Sequence, residues 1–171
     1  CRPVFTISIG DMHVDEKDDL TWTCEAFGIP DVLYSWMKNG KELPNDNERL
    51  APEDRGRYEI RDNVLIIRQV RKRDEGMYQC KAYNELDTRY SSGQLRVLAF
   101  APTFAKYPLE EKTYAAESGN VTLRCKPEGA PQPKFTWRKD GNRLGSSGKV
   151  TIYDNGNLFL SRVNPGDTGT Y

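Results

Sequence analysis

Four cysteines, a single histidine and one Asn-X-Thr triplet carry most of the reactive chemistry in this sequence. A thiol can attack, bind a metal or oxidise to a disulfide, and its neighbours decide which. Cys1, Cys24, Cys80 and Cys125 are far apart in sequence, with no C-x-x-C pair of the kind that holds zinc or cycles electrons. His13 has no thiol or hydroxyl nucleophile in a motif beside it, so the parts of a nucleophile-base pair are missing. No catalytic, cofactor or metal site is expected. The acidic run Asp15-Glu16-Lys17-Asp18-Asp19 does not alternate oxygen ligands as a calcium loop does, and it reads as a solvated turn. The basic run Arg68-Gln69-Val70-Arg71-Lys72-Arg73 leads directly into Asp74-Glu75, which makes it a corner of mixed charge and not a heparin patch. Asn120-Val121-Thr122 is an acceptor for N-glycosylation, with Asn120 expected to point outward at the start of a strand.

The elements that must position these residues come from an internal repeat. Trp36 follows Cys24 by twelve residues and Trp137 follows Cys125 by twelve, both pairs being offset by 101 positions. Leu65, Ile67, Val70, Asp74, Gly76 and Tyr78 are matched in order and spacing by Leu158, Leu160, Val163, Asp167, Gly169 and Tyr171. The second copy is eight residues shorter between its Trp and its Tyr, where a brief Gly/Ser-rich stretch replaces the loop containing Pro44 to Asp54. Alternation sets Leu20, Trp22 and Cys24 on one face and Thr21 and Thr23 on the other, and Val121, Leu123 and Cys125 repeat the pattern. These are half-buried antiparallel strands.

Cys, Trp, and a Tyr two residues before a second Cys resemble the core of an immunoglobulin-like sandwich, which needs only about 100 residues. The expected fold is all-β, two tandem I-set sandwiches over 1–98 and 99–171, the second truncated at its C-terminus. The resemblance implies a disulfide between Cys24 and Cys80 across the two sheets, and it pairs Cys125 with a cysteine beyond the chain end. It also implies that Tyr78 and Tyr171 turn their hydroxyls back onto the preceding corner, and that Asp74 and Asp167 pair with basic residues, Arg57 or Arg55 in one copy and Lys149 in the other. Cys1 has no equivalent in the second copy and reads as an extra structural disulfide partner. The natural chain is expected to continue past Tyr171 and to derive from a longer precursor.

Lys and Arg total 25 against 25 Asp and Glu, so no net field draws the chain to nucleic acid or an anionic membrane. No apolar run approaches the roughly 18 residues of a transmembrane segment. Disulfide-bonded sandwiches belong to the secretory route, so the expected location is extracellular, at the cell surface.

One contrast between the copies bears on binding. With Tyr34 and Trp36 inward, Leu33 and Met37 lie on the outer face of the third strand, and the neighbouring sixth strand turns Met77 and Tyr83 to the same face. The second copy has Lys134, Thr136 and Arg138 in the matching outward positions. Leu33, Met37, Met77 and Tyr83 are therefore candidate protein-contact residues.

More specifically, Leu95-Arg96-Val97-Leu98-Ala99-Phe100-Ala101-Pro102-Thr103-Phe104, followed by Cys125-Lys126-Pro127-Glu128-Gly129-Ala130-Pro131-Gln132-Pro133-Lys134-Phe135-Thr136-Trp137, resembles the junction between the fourth and fifth immunoglobulin domains of the contactin family. The resemblance implies a cell adhesion glycoprotein of neural or other cell junctions, held on the cell membrane by a GPI anchor. Its implied partners are contactin-associated, neurexin-like proteins and L1-family adhesion molecules. Asp87 stands where a Gly is usual, and the loop from Pro44 to Asp54 is atypical of vertebrate members. That points to an invertebrate contactin of the septate junction. The alternatives are another cell-surface immunoglobulin protein, of L1 type or a receptor kinase ectodomain, or an intracellular structural array of the giant muscle protein kind.

Overall fold

The computed structural model describes residues 1–171 and divides into two compact units, Cys1–Ala99 and Phe100–Tyr171. The first unit contains β1 (Val4–Ile7), β2 (Met12–Asp15), β3 (Leu20–Thr23), β4 (Glu25–Phe27), β5 (Leu33–Lys38), β6 (Lys41–Glu42), β7 (Tyr58–Arg61), β8 (Val64–Ile67), β9 (Gly76–Tyr83) and β10 (Thr88–Leu98). One sheet runs β2-β10-β9-β5-β6 and the other β3-β8-β7, with β1 and β4 forming a separate ribbon. All pairings are antiparallel except β2 with β10, which run parallel from Met12 opposite Leu95 to Asp15 opposite Leu98.

The period-two pattern closes the core. Leu20 and Trp22 are buried while Thr21 and Thr23 are exposed, and along β9 Tyr78, Cys80 and Ala82 are buried. Trp36 lies directly opposite Cys80 and is fully buried with Leu65, Ile67, Val70 and Leu95. Cys24 and Cys80 are joined, with their Cα atoms 6.5 Å apart. The bridge closes a loop with a sequence separation of 56. Removing that loop-closure entropy from the unfolded chain stabilises the unit by about 4 kcal/mol.

The chain crosses from one sheet to the other between β1 and β2, and this crossing is tightly specified. Trp22 Nε1 donates to Gly10 O at 3.0 Å, Ile9 N donates to Ser91 Oγ at 2.8 Å, and Gln94 N donates to Asp11 Oδ1 at 2.8 Å. A Cβ on Gly93 would lie 2.4 Å from Gly10 O, so the approach of the two backbones requires glycine.

The second unit contains β11 (Phe100–Thr103), β12 (Val121–Leu123), β13 (Glu128–Ala130), β14 (Trp137–Lys139), β15 (Asn142–Leu144), β16 (Val150–Ile152) and β17 (Leu158–Leu160). They pair as β12-β17-β16, β14-β15 and β11-β13. Leu158, Leu160 and Val163 form its core, with Val121, Leu123, Trp137 and Tyr171 packed against them.

Both units share the hairpin that leads into this core. Asn39-Gly40 and Asp140-Gly141 each place two positive φ values in succession, joining β5 to β6 and β14 to β15 by the two-residue turn that suits strand twist. The turn also ties down the later part of each unit. Asn39 Oδ1 accepts Met77 N at 3.0 Å, and Asp140 Oδ1 accepts Thr170 N at 2.9 Å.

Candidate protein-contact face

Beneath any binding surface lies the corner that fixes β9. Tyr78 donates its hydroxyl to Asp74 O at 2.7 Å, and Tyr171 donates to Asp167 O at the same distance. Arg57, not Arg55, is the cation that meets Asp74, through Nη1 at 2.8 Å and Nη2 at 3.0 Å. Arg71 N at 2.7 Å and the Tyr58 hydroxyl at 2.7 Å donate to the same carboxylate. Asp74 is 1% exposed and Arg57 7%. Burial pushes the Asp74 carboxyl up, but the guanidinium, the amide and the hydroxyl outweigh it and hold the group below the usual carboxylate range. Burial also raises the Tyr58 and Tyr78 phenols, so both remain neutral donors.

In the second unit Lys149 reaches Asp167 at 2.5 Å and lowers its carboxyl. The repeat extends to a detail not singled out in the sequence. Lys38 Nζ donates to Arg73 O at 3.1 Å while lying 5.7 Å from the Tyr78 ring centre, and Lys139 donates to Gly166 O beside Tyr171.

With β9 fixed, its outward residues alternate as Met77, Gln79, Lys81 and Tyr83. The β5/β9 register sets Leu33 opposite Tyr83 and Met37 opposite Gln79. Leu33 is 56% exposed and Met77 40%, while Met37 and Tyr83 are half-buried. Leu33 and Tyr83 are thus brought together at one end, and Met37 lies near Met77 at the other. Ser35, Lys81 and Gln79 separate the two pairs. The Lys81 ammonium lies 4.8 Å from the Tyr83 ring centre, a cation–π contact that leaves its charge on the face.

Tyr90, 51% exposed and directly opposite Lys81 on β10, belongs to the same surface. Its place was readable from parity, because Ser91, Gly93 and Leu95 are buried and Tyr90, Ser92 and Gln94 must point the other way. Across β5, β9 and the Thr88–Gln94 part of β10, the outward residues are neutral apart from Lys81, in a chain that is 29% charged. Depletion of charge is the compositional mark of an interface core.

The remaining candidates sit elsewhere. His13 is exposed on β2. Lys17 makes a positive-φ turn within the acidic run. The basic run is neutralised locally, with Arg68 on Glu59 at 2.6 Å, Lys72 on Glu75 at 2.8 Å and Arg73 on Asp54 at 2.6 Å. Asn120 is exposed just before β12, and its Oδ1 accepts Arg162 N at 3.1 Å. Cys1 is exposed, whereas Cys125 is half-buried and burial pushes its thiol up.

The family described as "Immunoglobulin domain" matches residues 2–84 and 102–171. A contactin of Drosophila melanogaster is 49% identical over 99% of this chain, and human contactin-6 is 34% identical over 99%. The chain spans 12% of the length of the first relative and 16% of the second. Among solved structures, a chimeric titin Z1Z2 functionalized with a KLER peptide from decorin matches with a TM-score of 0.73 at 28% identity, over 98% of this chain and 86% of that one.

Proposed function

Since the chain belongs to the immunoglobulin-domain family and contactins are related to it along 99% of its length, we propose that it is a recognition module of an extracellular cell adhesion protein. It binds protein partners through the outer face of the sheet β2-β10-β9-β5-β6. The identity of 49% with a contactin over 99% of the chain carries this reading. The Cys24–Cys80 bridge supports the extracellular location, because such a bond persists in oxidising compartments and is reduced in the cytosol. The bridge also weighs against an intracellular structural array, which would need both thiols free.

The contact residues are Leu33, Met37, Met77 and Tyr83, joined by Tyr90. The partners, by kinship with contactins, are neurexin-like contactin-associated proteins and L1-family adhesion molecules, with the parent protein lipid-anchored on the outer leaflet. Asn120 carries an N-linked glycan, and Cys125 pairs with a cysteine beyond Tyr171.

The test is a binding assay on the secreted chain, with candidate adhesion ectodomains immobilised. Met37→Lys combined with Tyr83→Lys is expected to weaken binding at least tenfold and leave the melting transition within a few degrees of the parent. Undiminished affinity for every bound partner would discard the face as the contact site.

A further inference from the structure

The sheet crossing at Ile9–Asp11 leaves part of β10 without a neighbour. On the side away from β9, β2 pairs with β10 only from Leu95 to Leu98, and β1 has gone to β4 in the other layer. Gln94 N reaches Asp11 on that side. By the alternation of a strand, Tyr90 and Ser92 also direct their N–H and C=O groups there, and no strand receives them. Beside this free stretch is a groove of about 500 Å³ lined by Arg2, Pro3, Val4, Phe5, Arg89 and Tyr90. Val4 is 64% exposed, and Tyr90 is 51% exposed beside it. Arg2 has no acidic partner, while the exposed Arg89 is held only by the half-buried Asp87 at 2.9 Å.

We propose that this groove binds an extended acidic peptide segment of a partner protein, which adds a strand to the free edge of β10. The backbone of the segment bonds to Tyr90 and Ser92, which supplies sequence-independent affinity. Its alternate side chains meet Val4 and Phe5. A glutamate or aspartate lies between Arg2 and Arg89, taking Arg89 from Asp87. An unpaired edge ordinarily invites such pairing, and proteins often blunt it with charge of one sign, which here selects the opposite sign in the ligand. Tyr90 contributes its side chain to the outer face and its backbone to the groove, but the two sites are otherwise separate.

The test uses the full chain and a capped seven-residue peptide alternating valine with glutamate. Titration followed by amide NMR is expected to shift Tyr90 and Ser92 most, with affinity that falls as salt is raised. The same peptide with glutamine for glutamate, or the Arg2→Gln/Arg89→Gln chain with the original peptide, should bind about tenfold more weakly, since charge-assisted bonds are lost. Ser92→Pro removes an N–H that faces away from β9 and should abolish binding. If that variant does not fold, the arginine pair decides alone. Met37→Lys/Tyr83→Lys is expected to leave peptide binding unchanged, which separates this groove from the outer-face reading. Equal binding of the glutamine peptide, or shifts confined to another sheet edge such as β6 or β7, would overturn the proposal.

Discussion

Asn120 holds the backbone N–H of Arg162 at 3.1 Å, as Asp19 holds that of Gln69 at 2.8 Å in the first unit. Gln69 and Arg162 both take positive φ values, 48° and 50°, and in each case a short polar side chain steadies the unfavoured backbone. The neighbouring turns match too. Lys17 N bonds to Val70 O at 2.8 Å, and Ser118 N to Val163 O at 2.7 Å.

Asn120→Asp therefore keeps the acceptor and is expected to leave thermal stability nearly unchanged while abolishing any glycan. Asn120→Ala should lose about 1 kcal/mol, the net worth of one hydrogen bond. Mass spectrometry of the secreted protein reads the glycan and calorimetry reads the stability. Equal melting of the Ala and Asp variants would show that Asn120 does not steady the turn.

Asp74→Asn should destabilise the first unit by about 1.5–3 kcal/mol, because Arg57 loses its charge-assisted bonds to Asp74 but keeps Asp54 at 2.5 Å as a second counter-ion. The same pair sets a pH dependence. Asp74 titrates below its unfolded value, so between the two values the unfolded chain binds more protons and stability falls as the pH is lowered. The contribution is complete above about pH 4, the ordinary aspartate range, and is lost as pH falls through the folded value. Urea unfolding from pH 7 to pH 2 should show this acid limb in the parent and a shallower one in Asp74→Asn. Parallel acid limbs would contradict it.

Cys24→Ala with Cys80→Ala is expected to lower the stability of the first unit by about 4 kcal/mol, from the loop the bridge closes. Under non-reducing, denaturing conditions, thiol labelling of the parent should spare Cys24 and Cys80. Labelling of either would remove the support for an extracellular location.

Gly93→Ala places a methyl group against Gly10 O and should destabilise by about 1–3 kcal/mol through overpacking. The change should appear first as faster hydrogen exchange at Ile9 and Gln94, the amides that anchor the crossing. Unaltered exchange at both would mean that the crossing tolerates a Cβ.

The core was legible because its residues answer to local rules. Cys24, Trp36, Tyr78 and their counterparts sit at spacings that a two-layer sandwich imposes, and alternation along β3 and β9 assigns their faces without tertiary information. The choice of Arg57 over Arg55 was not legible, since it depends on where the loop before β7 delivers each side chain. The candidate face was half legible. Parity identified Leu33, Met37, Met77 and Tyr83 as outward, but the pairing of Leu33 with Tyr83 and of Met37 with Gln79 depends on the β5/β9 register, which only the pairing of distant segments reveals. The open edge of β10 follows from the sheet switch at Gly10, and a lone glycine in sequence does not announce one.

The parallel pairing of Met12–Asp15 with Leu95–Leu98 joins the beginning of the first unit to its last strand. Tension applied to the two ends of that unit would load this short ladder in shear, so its bonds would share the load and yield together. An antiparallel hairpin pulled open at one end would surrender them singly, at lower force.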